Sequence, residues 1–293
     1  MRRRLCSFLG LCAAVSVLSA CAGSGGSGLT ELKFVGRIPG INSAGGSLVV
    51  DGVKASLSPL EGSTLGSRAP GNRVLVIGDS ILAGTASRYG GAMCAALVPM
   101  GWQVAVEAEA GQMVGFGRTV VRDRIYEGWD AAVVFLGTNY GGSKENYERD
   151  LTRIVESLAP RPTLLLTATL FRDSMQQVND VVRVVASKNS NVSVLDWGTA
   201  SVQPGLLNKD RVHPTDAGRA VLVASIAAAL GPAPEVPGKC LVSKYTDDSL
   251  VEDDVMPTTT APGATIPYAT TTTTGSAAPA PSSTAATTTT VRQ

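Results

Sequence analysis

Between Arg73 and about residue 230, this 293-residue sequence alternates apolar runs of strand length with segments of helix length, a pattern that few folds satisfy. Five runs qualify, at 74–77, 104–107, 131–136, 163–169 and 192–195. They are β-branched and almost continuously apolar, so the strands they form are buried on both faces. That is the signature of a parallel sheet between layers of helix. Two connecting segments carry the matching helical stripe. Tyr147, Leu151, Ile154, Val155 and Leu158 share one face of a helix, and Val178, Val181, Val182 and Val185 share another. A last helix is expected after Pro214, with Thr215 near its cap, running through Val221 and Ile226 to Gly231. The expectation is one α/β domain over residues 72–232.

The flanks read differently. Residues 1–28, MRRRLCSFLGLCAAVSVLSACAGSGGSG, hold a charged start, an apolar run of about 16 residues and then small residues, the order of an export signal. The apolar run is shorter than the roughly 20 residues a membrane-spanning helix needs. Leu18-Ser19-Ala20-Cys21 resembles the lipobox of bacterial lipoproteins, and a Gly/Ser spacer follows it. The expectation is a signal peptide over 1–20 and lipidation of Cys21, which would hold the protein at the outer face of the bacterial cell membrane. An uncleaved anchor and ordinary secretion are the alternatives. Residues 21–71 combine this linker with short β-like runs such as Leu48-Val49-Val50 and Val53-Lys54-Ala55. The extension 233–255 shows no periodicity, and the Thr/Pro/Ala-rich stretch 256–293 is too poor in large apolar groups to fold.

Charge and residue counts exclude several functions. The formal charge is +1, and losing Arg2, Arg3 and Arg4 with the leader takes it to about −2, too little cationic charge for nucleic acid to be a partner. His213 is the only histidine, and the mature chain has no CxxC, so neither a metal site nor a cofactor is expected. Cys94 and Cys240 are the two cysteines left after the leader and Cys21. In an oxidising exterior they can form a disulfide that ties the end of the domain back to its first helix; two unpaired thiols are the alternative.

The chemistry-bearing residues lie at strand ends. Val74-Leu75-Val76-Ile77-Gly78-Asp79-Ser80 places Ser80 where a buried strand gives way to a helix, the edge at which open α/β sheets hold their ligands. Asp79 and Ser80 are also ordinary helix-capping residues. Gly111 follows the second strand, Gly137-Thr138-Asn139 the third, and Asp210-Arg211-Val212-His213 precedes the final helix. In this order the segments resemble the blocks of the SGNH/GDSL hydrolase family over roughly 160 residues. The resemblance implies a three-layer α/β/α sandwich with a five-stranded parallel, flavodoxin-like sheet. It also implies a catalytic triad of Ser80, His213 and Asp210, and an oxyanion hole from the Ser80 and Gly111 amides and the Asn139 side chain. Tyr140 departs from the family, which often has Asp there, so a tuned pocket is expected rather than lost activity. The implied function is an extracytoplasmic serine esterase or O-acyltransferase acting on an acetyl or short acyl ester of an envelope carbohydrate. A lipase or thioesterase of the same fold and a catalytically silent envelope-binding module are the alternatives.

Overall fold

The computed structural model describes residues 46–50 and 52–250; the leader, Cys21, the linker after it and the Thr/Pro-rich tail lie outside the described residues. The chain enters through an antiparallel hairpin, β1 (Ser47–Val50) and β2 (Val53–Ser56), followed by a two-residue strand, β3 (Leu60–Glu61). The five apolar runs follow as β4 (Arg73–Gly78), β5 (Gln103–Ala108), β6 (Ala131–Phe135), β7 (Thr163–Leu166) and β8 (Val192–Leu195). Helices α1 (Ser80–Ala83) and α2 (Ala92–Leu97) connect β4 to β5. Three longer ones, α3 (Val114–Arg124), α4 (Lys144–Leu158) and α5 (Ser174–Lys188), carry the chain through the next three strands in turn. After β8 come α6 (Trp197–Ser201), α7 (Asp216–Leu230) and a second two-residue strand, β9 (Lys239–Cys240).

The strands assemble in the order β3-β8-β7-β6-β4-β5-β9. The inner five are mutually parallel, with Val76 opposite both Val106 and Val133. The sheet therefore has seven strands rather than the five expected, and it is not wholly parallel, because β3 runs antiparallel to β8 while β9 runs parallel to β5. The added strands pair through backbone alone and are too short to show an apolar period, which is why the sequence pattern missed them. They also carry the folded unit beyond 72–232 on both sides. The fourth run is shorter than its apolar character suggested. The Thr167 amide still reaches Leu195 O, but from Ala168 the backbone turns to a side chain, its amide donating to Asn179 Oδ1 at 2.7 Å, while the Thr167 hydroxyl donates to Asp196 at 2.7 Å.

Helices cover both faces. α3, α4 and α5 lie side by side on one, and α2 packs with α7 on the other, giving three layers. The predicted stripes of α4 and α5 are their buried faces. α7 is buried over most of its circumference and spans Asp216–Leu230, with the Thr215 hydroxyl accepting the Gly218 amide as its N-cap. Cys94 of α2 and Cys240 of β9 form a disulfide with their Cα atoms 5.5 Å apart. Among the described residues one charged pair lies wholly inside: Glu107 on β5 is fully buried and meets the buried guanidinium of Arg124.

Candidate active site

The inner strands run β5-β4-β6, so the chain leaves β4 in one direction to reach β5 and crosses back to reach β6. At such a reversal the loops at the carboxyl ends diverge and leave a crevice. Ser80 follows β4, Gly111 follows β5 and Asn139 follows β6, so the topology alone gathers them at one edge.

Ser80 is the first residue of α1, and its buried hydroxyl oxygen lies 2.9 Å from His213 Nε2. His213 Nδ1 lies 2.8 Å from Asp210 Oδ2. The structure thus brings together all three residues that the sequence nominated, in the geometry that lets an imidazole accept the serine proton while a carboxylate holds its other nitrogen. Asp210 and His213 come from one tight turn. The second carboxylate oxygen, Oδ1, accepts the Val212 amide at 2.8 Å and the His213 amide at 3.0 Å, so Asp210 is fixed by the same loop it serves. Arg211 takes a left-handed conformation, φ 59°, to close that turn, at a cost of about 1–2 kcal/mol for a non-glycine residue. Partial burial pushes the Asp210 carboxyl up, but the Val212 amide and the His213 ring and amide outweigh it, and the net shift is downward. Asp210 is therefore a carboxylate wherever the imidazole is a useful base.

The residues expected to form an oxyanion hole are placed just as locally. Gly111 has φ 75°, a left-handed conformation in which a side chain would be strained. Asn139 Nδ2 donates to Gln112 O at 3.0 Å, which orients the amide and links the loops after β5 and β6. Among the described residues no acceptor engages the Ser80 or Gly111 N–H. A cleft of about 440 Å³ opens above them, lined by Ser80, Gly111, Met113, Asn139, Phe171 and Arg172 among others. Tyr140 is buried, with its hydroxyl on Gln177 and its carbonyl accepting Arg172 Nη2 at 2.8 Å. It reaches the cleft as a shaped wall and brings no charge.

Two further groups lie near the site, one of which the sequence shows only as a helix-capping residue and the other not at all. Asp79 is fully buried; Oδ1 caps α1 through the Ile81 amide at 3.1 Å, and Oδ2 has no hydrogen-bond partner among the described residues. Desolvation raises its pKa to about 6 against the pull of that amide, of Thr138 and of the nearby His213. Arg172 enters the cleft wall from the segment between β7 and α5, where nothing in the sequence singles it out. For Asp79 a signal existed: an acid adjoining a buried apolar strand must be desolvated or paired.

A serine, an imidazole and a carboxylate in line at the switch point of a parallel sheet define an enzyme of acyl-ester chemistry, either hydrolase or transferase. Residues 76–221 match the GDSL-like lipase/acylhydrolase family, and the chain belongs to that SGNH/GDSL family. No curated protein matches the sequence. Among solved structures, the C-terminal catalytic domain of Streptococcus pneumoniae peptidoglycan O-acetyltransferase A is 21% identical, with a TM-score of 0.43 over 55% of this chain and 93% of that one. A Clostridium thermocellum family 3 carbohydrate esterase is 13% identical, with a TM-score of 0.44 over 53% of this chain and 92% of that one. A salicylyl-acyltransferase from a tetracycline biosynthetic pathway is 19% identical, with a TM-score of 0.43 over 54% of each chain.

Proposed function

We propose that this protein is an extracytoplasmic serine esterase or O-acyltransferase that acts on acetyl or other short acyl esters of envelope carbohydrate, through an acyl-Ser80 intermediate. The observation that carries the reading is the unbroken line from Asp210 through His213 to Ser80, at 2.8 and 2.9 Å, ending beside Gly111 and Asn139. Ser80 Oγ attacks the acyl carbonyl and its proton passes to His213 Nε2. The oxyanion is held by the Ser80 and Gly111 amides and Asn139 Nδ2, where one donor is worth about 2.7–4 kcal/mol of transition-state stabilisation. Collapse breaks the bond to the sugar oxygen, which takes the proton from His213. Water then releases the acid, or a second sugar hydroxyl carries the acyl group away as a new ester.

An open cleft whose wall mixes Arg172 and Asn139 with Phe171 and Met113 suits a polar glycan bearing a small acyl group. The Cys94–Cys240 disulfide supports an oxidising compartment, in keeping with the leader. Among the described residues no helix is long and apolar enough to cross a membrane; a lipidated Cys21 is the attachment proposed here.

The test uses the chain from residue 22 onward with nitrophenyl acetate, butyrate and octanoate, beside Ser80→Ala. Turnover is expected to be fastest on acetate and at background in the variant. Equal turnover by both proteins would remove Ser80 from the mechanism, and a preference for octanoate would overturn the short-acyl assignment. Acetate release from an O-acetylated polysaccharide, compared with release from a triglyceride, tests the acceptor class.

A further inference from the structure

The loop that carries Gly111 is held from outside the family-matched segment. After β9 the chain continues along the sheet edge as a strap. Leu241 donates to Val104 O at 2.7 Å, and the Lys244 and Tyr245 amides both donate to buried Glu107 Oε2 at 2.8 Å. The Tyr245 ring meets Phe116 of α3 edge-on, with centroids 5.3 Å apart. Two residues further on, the strap reaches the loop after β5. The Asp247 amide donates to Glu109 Oε1 at 3.0 Å, and the Ala110 amide donates to Asp248 Oδ1 at 2.8 Å. Asp248 is itself clamped: Arg88 donates to both its oxygens, at 2.8 and 3.0 Å, and the Tyr89 hydroxyl donates to Oδ2 at 2.9 Å. Its side chain is only 12% exposed. Arg88 also grips the loop directly, through Ala108 O.

The next peptide after the Ala110 amide is the one whose N–H belongs to Gly111. Anchoring Ala110 N fixes the peptide before it and leaves only the two backbone torsions of Ala110 between that anchor and the plane that aims Gly111 N–H, while Asn139 holds the loop from its other end through Gln112 O. Gly111 cannot hold that plane itself, because glycine adopts many conformations at little cost. We propose that Asp248, delivered by the C-terminal strap, is a positioning residue for the oxyanion hole, setting the direction of the Gly111 N–H without touching substrate. This rests on the reading of Gly111 as an oxyanion donor. The role requires an acceptor oxygen at one place, whereas a merely structural role requires the charge that pairs with Arg88.

Three substitutions in the full chain separate these requirements. Asp248→Asn keeps an oxygen for the Ala110 amide and loses the charge; Asp248→Glu keeps the charge and displaces the oxygen; Asp248→Ala loses both. For nitrophenyl acetate we expect kcat to fall about 10- to 100-fold in the Glu and Ala variants and only a few-fold in Asn, with KM nearly constant throughout. Thermal midpoints should rank in the opposite sense, with Glu above Asn. A kcat in Asp248→Glu equal to or above that of Asp248→Asn overturns the proposal, and this comparison stands even where the Ala variant does not fold. A second readout is the Gly111 amide proton by NMR after serine-directed phosphonylation. Its downfield move on meeting the anionic phosphonate oxygen should shrink in Asp248→Glu and persist in Asp248→Asn. If no such move occurs in the unsubstituted protein, Gly111 is not an oxyanion donor, and it is the reading beneath the proposal that fails.

Discussion

Asp79, one residue before Ser80, is a carboxyl group shut off from solvent, with the Ile81 amide on one oxygen and Thr138 beside it. Burial raises its pKa from 3.8 to about 6, so the folded chain keeps a proton that the unfolded chain has released. The stability this proton contributes is present in full below about pH 3.8 and is lost as the pH rises through about 6. Asp79→Asn keeps an oxygen for the Ile81 amide and removes the titration. In urea melts the variant should gain up to about 3 kcal/mol over the unsubstituted chain at pH 8, with the gain shrinking towards zero near pH 4; a loss at pH 8 would contradict the account. The site's residues were unequally legible. Ser80 was visible because it ends a buried strand, and His213 because the chain has no other imidazole. Asp210 needed the family resemblance, since its reach to His213 depends on the left-handed turn at Arg211, and arginine gives no hint of that conformation. Asp248 was invisible: what it holds is a backbone amide, and any residue but proline offers one.

Elements place these residues by how closely they pack, and the start of α7 is the tightest case. A Cβ on Gly218 would lie 1.8 Å from the carbonyl oxygen of Leu206, which also accepts the Thr215 amide at the helix cap. Leu206 begins the turn that presents Asp210 and His213, so α7 and the base-bearing loop are fitted to each other through a glycine. Gly218→Ala should therefore cost about 2–4 kcal/mol in stability and also lower kcat, because relief of the clash moves the loop relative to Ser80. Denaturant midpoints and steady-state rates check both, and a variant that loses stability while keeping the full rate would show that the loop is located by other contacts. Elements with a strong period were readable from sequence: the stripes of α4 and α5 are the faces that lie against the sheet. The strap was not, because its attachment runs through backbone amides onto Glu107 and Glu109. Only an acid inside the β5 run, Glu107, hinted that a partner had to arrive from elsewhere.

At the scale of the molecule, the disulfide joins residues 146 positions apart and encloses the family segment from Cys94 onward, leaving Ser80 outside the loop. Closing a loop of that size in the unfolded chain is worth at most about 5 kcal/mol of chain entropy. Replacing Cys94 and Cys240 together by serine should lower the thermal midpoint by up to about 10–20 °C, at roughly 2–4 °C per kcal/mol for a domain of this size, and reductant should bring the unsubstituted protein to the same value. A midpoint unmoved by either treatment would show that the strap stays docked without its covalent tie. The two short outer strands have a separate consequence. β3 pairs with Val194 and Leu195 of β8 and β9 with Gln103 and Val104 of β5, so neither outermost long strand presents an unbroken row of amides and carbonyls. Such rows recruit strands from neighbouring molecules and seed aggregates. Segments outside the family-matched unit thus act as gatekeepers, keeping the sheet from pairing with that of a neighbouring molecule.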